Sequence, residues 1–134
     1  MVDISDVIEL TIPVRADLVV LARLTAATVS ARADHDLESI EDLRLAVDEL
    51  CVSLVRGRVT GRLHLHFVRD GGTVEITGAI ESDEAPVPDG VNGEASEDFS
   101  SRILDALVDG HGRETIDGRE TAWLRKHRAP RQEG

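Results

Sequence analysis

Tyrosine is missing from this 134-residue chain, and Phe67, Phe99 and Trp123 are its only aromatic residues. That scarcity removes the stacking platforms on which single-stranded nucleic acids are held. Positive charge is also scarce: 15 Lys and Arg stand against 26 Asp and Glu, a formal net charge of −11. Such a surface repels phosphate backbones, which argues against direct nucleic-acid binding and for a basic protein partner. Cys51 is the single cysteine. No disulfide framework and no paired-cysteine zinc site can form within the chain, and an intracellular, cytoplasmic setting is expected. Apolar runs stay short of the roughly 18 residues that a membrane span needs, so no membrane partner is expected. The opening MVDISDVIEL is acidic where a signal peptide is basic.

What remains is an ordinary globular composition, 41% hydrophobic and 31% charged. Its length suits one domain with one core, expected over residues 1–127, with 128–134 as a frayed, disordered tail. VIELTIP alternates, with Ile8, Leu10 and Ile12 on one face, and reads as a half-buried strand closed by Pro13. A helix with a rather apolar surface follows over about Ala16 to Arg32, its stripe read as Leu18, Leu21 or Ala22, Thr25 and Val29. A second helix shows Leu37, Ile40, Leu43, Val47, Leu50 and Leu54 at steps of three and four, with Asp36 as its cap and Gly57 at its stop. Its second half, LAVDELCVSLV, is apolar on more than one face and predicts cover by two layers.

GRLHLHFVRD, the turn Asp70-Gly71-Gly72 and TVEITGAI predict a hairpin with Leu63, Leu65 and Phe67 inward and His64, His66 and Val68 outward. ESDEAPVPDGVNGEASE is an irregular acidic connection. Ser96 is placed to cap a short helix with Phe99, Ile103 and Leu107 on its inner face. RETID, the turn Asp117-Gly118 and RETAWLRKH form a second hairpin. The order β-α-α-β-β-loop-α-β-β predicts an α+β two-layer sandwich: a mixed, mostly antiparallel five-stranded sheet with three helices on one face.

That order, with DLRLAVDELCVSL in the second long helix, resembles the GHKL ATPase superfamily (the histidine-kinase-like ATPase fold), and within it the bacterial anti-sigma factors that are serine-protein kinases. The family pattern is an apolar run, a Glu and, four residues on, an Asn; here the Glu is Glu49 and Ser53 stands at the Asn position. LARLTAATV puts Arg23 where the family carries an Arg used in partner contacts. SRILDALVD resembles the helix after the phosphate lid, and IDGRETAWLRKH the closing strands. The resemblance implies ATP and magnesium as cofactors, Glu49 as the base toward a protein serine, and a sigma factor and an anti-sigma antagonist as partners. It also implies a homodimer and a place in a partner-switching stress response.

The departures set the expected function. Ser53 has no amide oxygen to offer magnesium, an ion that wants hard oxygen ligands. The family's next box carries an Asp for the adenine amino group; GAIES puts Gly78 or Ala79 there. Glu97-Asp98-Phe99-Ser100 occupies the place of the glycine-rich turn, and no Lys or Arg lies between Arg69 and Arg102, although phosphates need compensating positive charge. The sequence therefore predicts sequestration of a sigma factor with nucleotide binding and kinase activity lost or much weakened. Two alternatives stand beside it: an active serine-protein kinase that phosphorylates the antagonist, and a binding module for another signalling partner.

Each singled-out residue also has a plainer reading. Glu49 fits a carboxylate at the edge of a buried face, and Arg23 a local ion pair. His64 and His66 fit a solvated sheet face, Asp34-His35-Asp36 a polar inter-helix loop, Cys51 a buried inert thiol. The acidic connection fits a solvated loop or a surface that competes for a basic partner. No metal site is expected.

Overall fold

The computed structural model describes residues 5–82 and 93–130, with side chains in the second segment from 99 onward. Five strands, β1 (Asp6–Pro13), β2 (Arg62–Asp70), β3 (Thr73–Glu81), β4 (Gly110–Ile116) and β5 (Arg119–His127), form one sheet in the order β1-β2-β3-β5-β4. All four pairings are antiparallel, which narrows the mixed sheet expected. Three helices, α1 (Val19–Arg32), α2 (Leu37–Val55) and α3 (Gly93–Leu107), complete the α+β sandwich. Among the described residues no helix is long and apolar enough to cross a membrane.

The sheet alternates as its sequence dictates. Leu63, Leu65 and Phe67 of β2 and Val74, Ile76 and Ile80 of β3 are buried toward the helices. In β5, Ala122 and Leu124 do the same. Both hairpin turns use left-handed backbone, at Gly71 (φ 58°) and at Asp117 and Gly118 (φ 52° and 77°), the conformation that tight antiparallel connections require. α2 lies over β3 and β5, α1 packs beside it over β2, and α3 flanks α2 on the β4 side. Asp36 caps α2, its Oδ1 accepting from Ser39 N–H at 2.8 Å, and Gly57 (φ 72°) turns the chain just past its end.

The helix faces differ from the sequence reading in an instructive way. On α1 the buried residues are Val19, Ala22, Ala26, Val29 and Ser30, whereas Leu21 and Leu24 are exposed. Small residues face inward because α1 lies against α2, where alanines allow close approach. On α2, Leu43, Val47, Leu50 and Leu54 are buried as expected, but Leu37 is 80% exposed in the first turn. Leu45 and Val52 are also exposed, so among the described residues the predicted second layer does not cover that side. α3 starts at Gly93, ahead of Ser96, and its inner face is Ser100, Leu104 and Leu107, with Phe99 66% exposed. Glu97-Asp98-Phe99-Ser100 therefore belongs to the helix and not to a turn before it. Most of the acidic connection lies outside the described residues.

The loop between α1 and α2 is polar, as expected, and His35 makes it a buried joint. Its Nε2 meets the Gly72 carbonyl oxygen at 2.9 Å, an acceptor, so Nε2 carries the proton. In the neutral ring Nδ1 then accepts from the Ser30 hydroxyl at 2.7 Å. The side chain thus ties the helix pair to the β2–β3 turn.

Candidate functional site

A cavity of about 340 Å³ opens between the C-terminal half of α2, α3 and the outer strand pair β4–β5. Leu50, Leu104 and Ala122 make its apolar floor, and Ser53, Ser100 and Ser101 bring hydroxyl-bearing residues to it. His111 and Arg113 reach it from β4, where alternation puts them on the helix side of the sheet, and Gly112 and Trp123 complete the lining. Gly112 pairs with Trp123 across the two strands. A Cβ on Gly112 would lie 2.5 Å from Trp123 Nε1, so only glycine lets the indole lie flat over β4.

Electrostatics at the cavity's end are set by two arginines that the sequence reading did not single out. Arg113 NH2 donates to the Ser53 carbonyl at 3.2 Å and to Glu120. Arg58 NH1 donates to the Leu54 carbonyl at 2.9 Å, and its NH2 stands 3.3 Å from Glu120 Oε2. Two guanidiniums thereby satisfy the last carbonyls of α2, where positive charge is favoured by the helix dipole, and they share one carboxylate. Arg113 lies 60 residues from Ser53 in sequence, so spacing along the chain gave no sign of the pairing; the closing hairpin brings them together. His111 Nε2 pairs with Asp105 at 2.6 Å and ties β4 to α3. Lys126, also buried, donates to the Leu107 carbonyl at 2.6 Å and holds the end of α3.

The residues read from the sequence fall in different places. Ser53 borders the cavity but is buried, its Oγ donating to the Leu50 carbonyl at 2.9 Å. Glu49, one turn earlier on α2, is half-buried and outside the lining. Gly78 and Ala79 are separated by the pleat: Gly78 faces the helices, Ala79 the opposite face. A Cβ on Gly78 would lie 2.8 Å from Leu50 Cδ2 and 2.9 Å from Leu54 Cδ1, so a carboxylate has no room where the adenine contact is expected. Among the described residues no group of three or more His, Cys, Asp and Glu could hold a metal ion. At Ser53 and Gly78 the chain presents a hydroxyl already bonded to a carbonyl and a glycine closed in by leucines.

Arg23 stands apart from the cavity, 3.6 Å from Asp48 of α2, with both side chains about two-fifths exposed. The approach is made by its buried Nε, which stops short of a hydrogen bond to Asp48 Oδ1. Val20 and Leu24 of α1, and Leu45 and Val52 of α2, are exposed on the same helix pair. His64 meets Thr11 at 3.0 Å and Glu81 at 2.6 Å, while His66 is exposed, in keeping with an outward sheet face. Burial pushes the Cys51 thiol up to about 12, with the charge of Asp48 adding to it, which leaves a protonated, unreactive group.

No family model matches the chain. Curated relatives do. The anti-sigma-F factor RsbW of Mycobacterium tuberculosis is 30% identical over 105 residues, covering 76% of this chain and 58% of the relative. The serine-protein kinase RsbW of Bacillus cereus is 31% identical over 101 residues, 75% of this chain and 58% of the relative. That of Bacillus pumilus is 39% identical over 57 residues, 42% of this chain and 35% of the relative. The chain thus spans less than two thirds of the length of the relatives it matches.

Proposed function

From its homology to RsbW proteins, which places the chain in the GHKL-type anti-sigma kinase branch, we propose that it is an anti-sigma factor working by sequestration in the cytoplasm. It binds a sigma factor, keeps it from RNA polymerase, and is released when an anti-sigma antagonist competes for the same or an overlapping surface. The helix pair carrying Arg23 supplies that surface. Its support is an arginine held only at 3.6 Å, through its Nε, by Asp48, set beside exposed Val20, Leu24, Leu45 and Val52. A loosely held charge with an apolar surround is what an interface uses. A homodimer belongs to the same reading and is measured by sedimentation.

Exchange runs on competing affinities and not on phosphorylation. The observation that carries this is the closure of the Gly78 position by Leu50 and Leu54, joined to the commitment of the Ser53 hydroxyl to the Leu50 carbonyl. Between competitors of this kind a difference of about 1.4 kcal/mol moves occupancy tenfold.

An affinity capture from the native host, run in parallel with and without magnesium-ATP, tests the proposal. It predicts the same sigma factor in both lanes. Recovery only with ATP favours the kinase reading, in which Glu49 is the base; capture of a different signalling protein and no sigma factor favours the binding-module reading. Melting gives a second check, since a ligand at about 100 times its dissociation constant adds about 2.7 kcal/mol. Millimolar magnesium-ATP is expected to leave the melting temperature unchanged.

A further inference from the structure

We infer that the α2–α3–β4 cavity is a binding site for a small organic monoanion with an apolar body, a class distinct from nucleotides. This deepens the nucleotide-independent reading by giving the cavity another occupant. Its volume, about 340 Å³, lies within the span of sites that hold small organic ligands. Leu50, Leu104 and Ala122 supply an apolar floor large enough for a fused-ring or branched aliphatic body, and the rim carries Ser100 and Ser101.

The head group follows from the charge count at the α2 end. Arg113 borders the cavity, and Arg58 stands behind it with a side chain only 8% exposed. Among the described residues both lean on the single carboxylate of Glu120, two positive charges to one negative. Arg58 Nε is, in addition, buried with no hydrogen-bond partner. Asp105, in contact with His111 Nε2, has a side chain 70% exposed, so water screens its charge from the cavity. A carboxylate or sulfonate meeting Arg113 completes the count, whereas a triphosphate brings several charges to a site with one to offer. The apolar floor would reward a hydrocarbon body.

Titration of the full chain with 8-anilinonaphthalene-1-sulfonate, alongside its uncharged parent N-phenyl-1-naphthylamine, tests this. Dye emission and energy transfer from Trp123, the only tryptophan, report binding. Saturable one-to-one binding of both dyes is expected. Arg113→Gln should weaken the sulfonate dye roughly tenfold or more, the loss of one charge-assisted hydrogen bond, and change the neutral dye less than twofold. Arg113→Lys keeps the charge and should recover most of the affinity. Ser101→Phe, which fills the cavity from α3, should remove binding of both dyes, with circular dichroism and the urea midpoint confirming that each variant folds.

Three results overturn the inference. One is dye binding that survives Ser101→Phe but falls with Leu24→Ser, which would place the dye on the exposed helix face. Another is equal loss of both dyes in Arg113→Gln. The last is displacement of the dye by millimolar magnesium-ATP, which would return the cavity to a nucleotide. Because no sigma factor is present in this experiment, failure here leaves the sequestration proposal to its own test.

Discussion

Gly78 on β3 lies directly against Leu50 on α2, so close that a Cβ at residue 78 would stand 2.8 Å from Leu50 Cδ2. A single absent side chain lets the second helix settle onto the sheet, and the leucines that fill the gap occupy the space a base-binding carboxylate would need.

Restoring the family residue at this position is therefore expected to damage the fold without creating a nucleotide site. Gly78→Ala should cost about 1–3 kcal/mol by overpacking. Gly78→Asp should cost more, because its carboxylate would be unpaired among Leu50, Leu54 and Leu65. Ala79→Asp, on the opposite face, should stay within about 0.5 kcal/mol. Urea unfolding measures all three, and equal losses at 78 and 79 would contradict the packing argument.

Arg23 separates a partner contact from a local ion pair. The 3.6 Å approach to Asp48, with both groups about two-fifths exposed, is of the kind that contributes about 0–1 kcal/mol. Arg23→Ala should change stability by no more than that and weaken sigma-factor binding at least tenfold. Asp48→Ala, which frees the guanidinium, should leave partner binding within about threefold, corresponding to less than about 0.7 kcal/mol. Loss of stability without loss of binding would reduce Arg23 to a strut between the helices.

How much of this could be read from the sequence depends on the distance over which each feature is encoded. Strand alternation from Ile8 to Ile12 and from Leu63 to Phe67 is local, and those faces emerged as expected. The α1 face emerged in part: Val29 is buried and, of Leu21 or Ala22, it is Ala22, because close helix approach selects small residues such as Ala22 and Ala26. On α3, Phe99 was assigned inward by hydrophobicity, yet Ser100 and Leu104 are the residues that meet α2 and the cavity. The Arg58–Glu120–Arg113 cluster is assembled by the last hairpin from three separate segments. Arg113 lies beyond the charge desert between Arg69 and Arg102, and no signal in the sequence ties it or Trp123 to the site.

Acid should loosen the β1 edge through Asp6. Its carboxylate accepts from Arg32 at 2.6 and 3.0 Å and from Arg69 at 2.6 Å. Those hydrogen bonds, Arg32's first and then Arg69's, hold its pKa well below the ordinary 3.8. In the unfolded chain the group takes up a proton near that ordinary value, so between there and the lower folded value the unfolded state binds more protons. The contribution is fully present above about pH 4 and is lost as pH falls further. Urea midpoints should drop below pH 4 in the native chain. Asp6→Asn should be less stable at pH 7 and show a shallower acid dependence; an unchanged acid slope would remove Asp6 from the account.

Cys51 should resist thiol reagents in the folded protein. It is fully buried and its thiol is pushed up to about 12, so the reactive thiolate is almost absent at neutral pH. Labelling by an aromatic disulfide should follow the urea unfolding curve, and prompt labelling without denaturant would show that α2 opens locally.

The central claim is that this protein holds its sigma factor without the help of a nucleotide. Calorimetric titration of the captured sigma factor into the full chain, with and without millimolar magnesium-ATP, tests it most directly. Dissociation constants that agree within about twofold, a difference below about 0.4 kcal/mol, are the predicted result. A tenfold tightening with ATP, accompanied by transfer of labelled phosphate to the antagonist that Glu49→Gln abolishes, would contradict it and make the protein a kinase.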